Sequence, residues 1–204
     1  CDDRKVPGVV WGVDTEHDFR EPDGKRDVKG AELIMPRLAQ LTQYAHGKGI
    51  QIVASSDDHL LEHAEISATP DFSETFPPHC MRGTTGAEKI PETALNSPLI
   101  IEPAPIAHEA LVRQLSSHQG DVLIRKHRFD VFSNPNTRGV IEAWDPTEIV
   151  IYGVTLDYCV KYAIDGLIDI GIPSIALVLD ATKPLVESAV EGLVGGWGEP
   201  DVRS

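Results

Sequence analysis

Cysteine is scarce in this chain: Cys1, Cys80 and Cys159 are the only three, and no Cys-x-x-Cys pair exists. A zinc ribbon or a redox dithiol needs such a pair, so neither is expected, and reduced thiols in a cytoplasmic protein are the economical reading. Long apolar runs are missing as well. None approaches the roughly 20 residues that cross a bilayer, so no membrane partner is expected. No apolar stretch follows Cys1-Asp2-Asp3-Arg4-Lys5 that could act as a secretory leader. Positive charge is short: 18 Lys and Arg against 32 Asp and Glu give a formal net charge of −14, which repels a phosphate backbone and excludes nucleic acid as the expected partner. No Gly-x-Gly-x-x-Gly or P-loop signature follows any apolar run, so dinucleotide and nucleotide chemistry lack their phosphate cradle.

What is present is an ordinary globular composition, 41% hydrophobic and 25% charged over 204 residues, which fits one domain covering 1–204. Short apolar runs alternate with helix-period stretches. Strands are expected at Val9–Val13, Ile50–Ala54, Val122–Ile124, Glu148–Val154 and Ser174–Leu179, with a weaker one at Leu99–Ile101. Helices are expected at Ala31–Lys48, Ala107–His118, from Asn134-Pro135 to Ala143, from Val160 to Gly171, and Pro184–Leu193. Pro36 either opens the first helix or kinks it. Residues 56–105 form an irregular excursion rich in Pro, Ser, Thr, His and acid, of the length that usually carries function, here a metal-binding segment or a lid.

Strands apolar on both faces and separated by helices imply an α/β fold: a doubly wound, Rossmann-like, mostly parallel sheet of about six strands with helices on both faces. Ligands in such sheets bind at the carboxyl ends of the strands. That rule selects Asp14, the stretch Ser55 to His59, Lys126, and Thr155 to Cys159. A cysteine at the elbow between a strand and a helix has its thiolate favoured by the helix N-terminus and by a nearby ammonium, and a carboxylate can accept its proton. Asp14, Lys126 and Cys159 make chemical sense in those roles, with a buried cysteine and solvated charges as the plain alternative.

Asp57 and His59 alternate in an extended segment, His63 follows at i+4, and His79 lies beyond in Phe76-Pro77-Pro78-His79-Cys80. Two histidines and a carboxylate suit Zn²⁺, Fe²⁺ or Mn²⁺; unrelated histidines on a polar loop are the alternative.

The motifs around these residues add a resemblance. Val13-Asp14-Thr15-Glu16-His17-Asp18-Phe19 resembles the opening motif of the isochorismatase-like cysteine hydrolases, the superfamily that contains the nicotinamidases. Tyr152-Gly153-Val154-Thr155-Leu156-Asp157-Tyr158-Cys159-Val160 resembles its nucleophile elbow, and Lys126 with Phe129-Asp130-Val131-Phe132-Ser133 resembles its lysine motif. The segment from Pro78 to Glu88, with Asp57-Asp58-His59 before it, resembles the nicotinamidase branch. The resemblance runs in order from about Val9 to Ala181.

It implies a catalytic triad of Asp14, Lys126 and Cys159, a cis peptide before Thr155, and an oxyanion hole formed by the N–H groups of Thr155 and Cys159. It implies a divalent metal, Zn²⁺ first, at Asp57, His59 and His79. Cys80 becomes a neighbour of a ligand, and Cys1 keeps no assigned role. Glu16, Phe19, His63 and Phe76 are the expected substrate-pocket residues, with His63 open as a fourth ligand. Asp58, Leu60-Leu61, Phe76, Glu16 and His17 depart from the branch pattern, which leaves the substrate open. The resulting expectation is a nicotinamidase-like amidohydrolase in NAD metabolism, cleaving a small carboxamide to acid and ammonia through a thioester on Cys159. The alternatives are a carbamoyl-amine hydrolase or other amidase of the superfamily, a hydrolase whose metal-bound water attacks, and a ligand-binding member without turnover. The expected partner is a small-molecule amide; assembly as a homo-oligomer is left open.

Overall fold

The computed structural model describes residues 6–20 and 25–197, together with the short strand Val202–Arg203; Cys1 lies outside the described residues. Seven strands form one sheet: β1 Gly8–Val13, β2 Gln51–Asp57, β3 Leu99–Ile101, β4 Val122–Lys126, β5 Glu148–Val154, β6 Ile175–Lys183 and β7 Val202–Arg203. Their order is β3-β4-β2-β1-β5-β6-β7, and every pairing is parallel. The doubly wound α/β expectation is borne out; β7, two residues at the sheet edge, is the addition.

Helices α1 Ala31–Lys48, α2 His108–Ser117, α3 Thr137–Trp144, α4 Lys161–Ile170 and α5 Val190–Gly196 cover both faces. Strand alternation separates two cores. Val9, Trp11 and Val13 of β1 point into a core shared with α2, α3 and α4, while Val10 points into a second core under α1. Among the described residues no helix is long and apolar enough to cross a membrane.

Helix α1 has the bounds its periodicity predicts because glycine in the left-handed region flanks it on both sides, Gly30 at φ 82° and Gly49 at φ 64°. Pro36 falls inside the helix, past its first turn. Helix α3 starts later than the Asn-Pro signal suggests. Asn134 Nδ2 donates to the sheet carbonyls of Ile101 (3.1 Å) and Arg125 (2.8 Å) while its Oδ1 accepts from the Asn136 N–H at 2.9 Å, and the helix begins only at Thr137. The last helix likewise begins at Val190, after a short 3₁₀ turn at Glu187–Ala189.

The excursion after β2 contains only short turns before β3. Isolated pairings hold it: Glu16 with Lys89, His59 with Met81, and Ile66 with Phe76. These carry residues 59–89 back across the carboxyl ends of β1 and β2.

Candidate active site

The sheet order puts the ends of β4, β2, β1 and β5 side by side, and each end delivers one polar side chain. Lys126 and Asp57 are register partners across β4 and β2. Asp14 follows β1, and Cys159 lies in the π-helical turn Leu156–Val160 that joins β5 to α4. Asp14, Lys126 and Cys159, dispersed in sequence, are all buried and brought together. Lys126 Nζ lies 2.9 Å from Asp14 Oδ2 and 3.6 Å from Cys159 Sγ, and it also hydrogen-bonds Asp57. Ser55 Oγ donates to Asp14 Oδ1 at 2.9 Å and fixes the carboxylate from the other side.

The electrostatics differ from the expectation of an activated thiolate. Burial raises the Cys159 thiol well above its usual pKa, the Asp14 carboxylate raises it further, and Lys126 offsets only part of this. Cys159 therefore rests as a neutral thiol whose sulfur accepts from Lys126 at 3.6 Å, and Asp14, held by the same ammonium, is the candidate acceptor of its proton. Burial alone would discharge Lys126, but the Asp14 and Asp57 carboxylates outweigh it and hold the ammonium protonated.

The peptide Val154–Thr155 is cis, as the resemblance implies, and Thr155 is buried beside the elbow. Gly153, at φ 126°, is opposite Val13 in the β1–β5 register. A Cβ there would run into the Val13 carbonyl, so glycine is required where the elbow passes the residue before Asp14.

Next to the triad, Asp57, His59, Glu65 and His79 form a buried cluster whose candidate ligand atoms lie within 4.8 Å of one another. The residues fit a divalent metal. Nε2 of His59, Nε2 of His79 and one Glu65 oxygen find no hydrogen-bond partner among the described residues, an arrangement that is costly unless an ion completes it. His79 Nδ1 donates to the Pro77 carbonyl at 2.8 Å, which leaves the Nε2 lone pair facing the cluster. Burial lowers the His79 pKa to about 4, so the ring is neutral and able to ligate.

Glu65 is the candidate ligand that sequence reading missed. His63, the candidate fourth ligand, instead accepts from the Leu60 N–H through Nδ1 at 3.1 Å and stacks on His127 at 3.8 Å. Glu65 reaches the cluster because its carbonyl accepts from Phe76 N–H at 2.8 Å, a pairing across the excursion with no local sequence signature.

The remaining expected pocket residues separate. Phe76 lines a cleft of about 390 Å³ together with Arg26, Phe72, Tyr158 and Leu185. Phe19 is buried and meets His79 edge-on, at 5.8 Å between ring centroids. Glu16 does not line that cleft. It is fully buried, accepts from the Asp57 N–H at 3.1 Å and lies 3.6 Å from Lys89 Nζ. Burial, together with Asp14 and Asp57, lifts its pKa to about 8 against the pull of Lys89. Asp58, where the branch carries an aromatic, pairs with Arg82. Cys80, at φ 44°, is buried and donates its N–H to Asp18 Oδ2 at 2.7 Å, which anchors the chain next to His79.

A parallel sheet delivering a buried cysteine, lysine and aspartate from neighbouring strand ends is the arrangement that the motif resemblance implies, and comparison with known proteins points the same way. Residues 106–188 match the family described as Isochorismatase domain. The chain is 28% identical to the nicotinamidase/pyrazinamidase of Mycobacterium tuberculosis over 169 residues, 81% of each chain. It is 23% identical to a probable inactive nicotinamidase of Arabidopsis thaliana over 172 residues, 83% of this chain and 77% of the relative. In three dimensions it matches the pyrazinamidase of Pyrococcus horikoshii, solved in complex with zinc, with a TM-score of 0.72 at 20% identity, covering 96% and 97% of the two chains. The resemblance carried by the motifs is thereby borne out as a resemblance: residues 106–188 match the Isochorismatase domain, and nicotinamidases and pyrazinamidases are among the chain's relatives and structural neighbours.

Proposed function

We propose that the chain, read as one hydrolase domain over residues 1–204, is a cysteine amidohydrolase of nicotinamidase type that converts a small carboxamide to a carboxylic acid and ammonia. The observation that carries this reading is the placement of Lys126 Nζ between Asp14, at 2.9 Å, and the Cys159 sulfur, at 3.6 Å, inside a buried site.

Asp14 takes the thiol proton as Cys159 attacks the carboxamide carbon. The site never has to hold two bare anions, because one proton remains between Asp14 and Cys159 and Lys126 balances the charge. The tetrahedral oxyanion is held by N–H groups of Thr155 and Cys159 at the elbow. Asp14 then returns the proton to the leaving nitrogen, ammonia departs and a thioester remains on Cys159. Water, deprotonated by Asp14, attacks the thioester, and release of the acid regenerates the thiol. A divalent metal, Zn²⁺ first, held by Asp57, His59, Glu65 and His79 would supply a Lewis-acidic point that orients the substrate.

Ammonia release across a panel of amides, nicotinamide first, with and without chelator, tests the reading. Cys159→Ala is expected to abolish turnover while retaining the metal. Near-normal turnover in that variant would exclude the thioester route in favour of metal-bound water, and no release from any amide by the wild type would indicate a binding protein.

A further inference from the structure

The cleft lined by Phe76 and by Tyr158, the residue before Cys159, contains a charge that the proposed chemistry does not use. Arg26 is half-buried, and its guanidinium carbon lies 3.1 Å from the centroid of the Phe76 ring. Phe76 is part of an aromatic wall: its ring is 5.5 Å from Phe129 and 6.2 Å from Tyr158, and it meets the ligand His79 at 6.4 Å. The backbone aims Arg26 at this wall, because its N–H donates to the Asp18 carbonyl at 3.1 Å. Through Phe76, which meets both Tyr158 and His79, the guanidinium sits one ring away from the residue preceding Cys159 and from the candidate metal cluster.

Arg26 forms no ion pair with any described residue, although other arginines of the chain do, among them Arg82 with Asp58 and Arg125 with Glu102. An arginine stacked on an aromatic face keeps the in-plane donors of its fork directed outward, where they match a carboxylate bidentately. A neutral amide gives such a fork nothing equivalent, and desolvating an unpaired guanidinium carries a cost.

Resting on the amidohydrolase reading of the site, we propose that Arg26 is a specificity-determining residue that selects amides bearing a carboxylate at the end remote from the scissile carboxamide. The carboxamide would lie against Cys159, the body of the substrate along Phe76 and Tyr158, and the carboxylate on Arg26. Phe76 is then the platform that holds the fork in place; Lys25 and Asp27, on either side of Arg26 in sequence, line the same cleft and offset each other in charge, which leaves Arg26 as its net cation.

Two pairs of probes test this: succinamate against butyramide, and glutaramate against valeramide. Each pair shares its chain length and differs in the terminal carboxylate. Binding is measured calorimetrically on the full chain with Zn²⁺ added, in the Cys159→Ala background, where the thioester cannot form. The charged member of at least one pair is expected to bind about 10- to 100-fold more tightly, the range of a hydrogen-bonded charged contact. Adding Arg26→Gln should reduce the preference below about threefold, and adding Arg26→Lys should keep part of it, which a merely structural role for Arg26 would not produce. Equal binding within both pairs, or a preference that survives Arg26→Gln, would overturn the assignment. Turnover by the wild type is read separately. Loss of ammonia release from every amide counts against the amidohydrolase reading, whereas the binding preference reports on Arg26 alone.

Discussion

Asp57 and Lys126 face each other as register partners across β2 and β4, and the lysine ammonium bonds the aspartate carboxylate. One amine therefore ties the candidate metal cluster to the candidate triad, since the same Nζ lies 2.9 Å from Asp14. Lys126→Met should accordingly do more than remove one catalytic group. It leaves two buried carboxylates without their counter-charge, and breaking a buried pair from one side costs about 3–5 kcal/mol. Urea unfolding of the variant should show a loss in that range together with loss of ammonia release. A variant as stable as wild type would mean that Asp14 and Asp57 are neutralised by something other than Lys126.

The metal cluster yields a contrast between two residues in the same loop. Glu65→Gln removes a ligand with little change of shape, and its effect on Zn²⁺ affinity should reach at least the roughly 10–100-fold that losing an outer-shell partner costs. His63→Ala removes a ring that bonds the Leu60 N–H and stacks on His127, and its affinity should stay close to wild type. Competition with a chromogenic chelator measures both. The reverse ranking would move the fourth ligand back to His63.

That contrast marks the boundary of what the sequence makes legible. The strand-end rule reached Asp14, Lys126 and the elbow that holds Cys159, because strands announce themselves as apolar runs whose parallel packing brings their carboxyl ends together, and the motif resemblance joined the three into a triad. Asp57, His59 and His79 were legible through motif and spacing. Glu65 was not, since the i+4 relation from His59 to His63 assumes a continuity that this helix-free segment lacks. Its position depends on the pairing of Ile66 with Phe76, set by tertiary contacts. Arg26 was invisible for a related reason: it sits in a turn, and only the folded chain stacks it on Phe76. Glu16 could be seen to lie near Asp14, but its pairing with Lys89 depends on the excursion folding back across β1.

Stability should vary with pH in a direction set by two buried carboxyls. Glu16 and Glu65 both have pKa values raised to about 8, burial being the largest cause in each. The native state binds protons at both glutamates that the unfolded chain releases between 4.5 and about 8, and above 6.5, clear of the opposing titration of His79 with its pKa lowered from 6.5 to about 4, stability must fall as pH rises. Each group contributes a slope of at most about 1.4 kcal/mol per pH unit. In chelator, Glu16→Gln should remove one of the two contributions, and added Zn²⁺ should suppress the other by holding Glu65 ionised. Urea midpoints from about pH 6.5 to 8 measure the slope, and a stability that rises over this range would contradict the assignment.

Two glycines on neighbouring strands separate a steric requirement from a neutral position. At Gly153, φ of 126° is unfavourable for any L side chain, and a Cβ would collide with the Val13 carbonyl, part of the backbone that leads into Asp14. Strain at such a backbone position and overpacking each cost about 1–3 kcal/mol. Gly153→Ala should therefore lose roughly 3 kcal/mol or more, and any folded fraction should be impaired in catalysis because β1 must shift and carry Asp14 with it. At Gly12, in β1 itself, a Cβ would meet only the side chain of Tyr152, nearest at 3.3 Å from its hydroxyl, which a small rotation relieves. Gly12→Ala is expected to stay within about 1 kcal/mol of wild type. Denaturation midpoints and ammonia release for the two variants side by side measure the difference, and equal losses would show that the contact between Gly153 and Val13 does not set the position of the catalytic strand end.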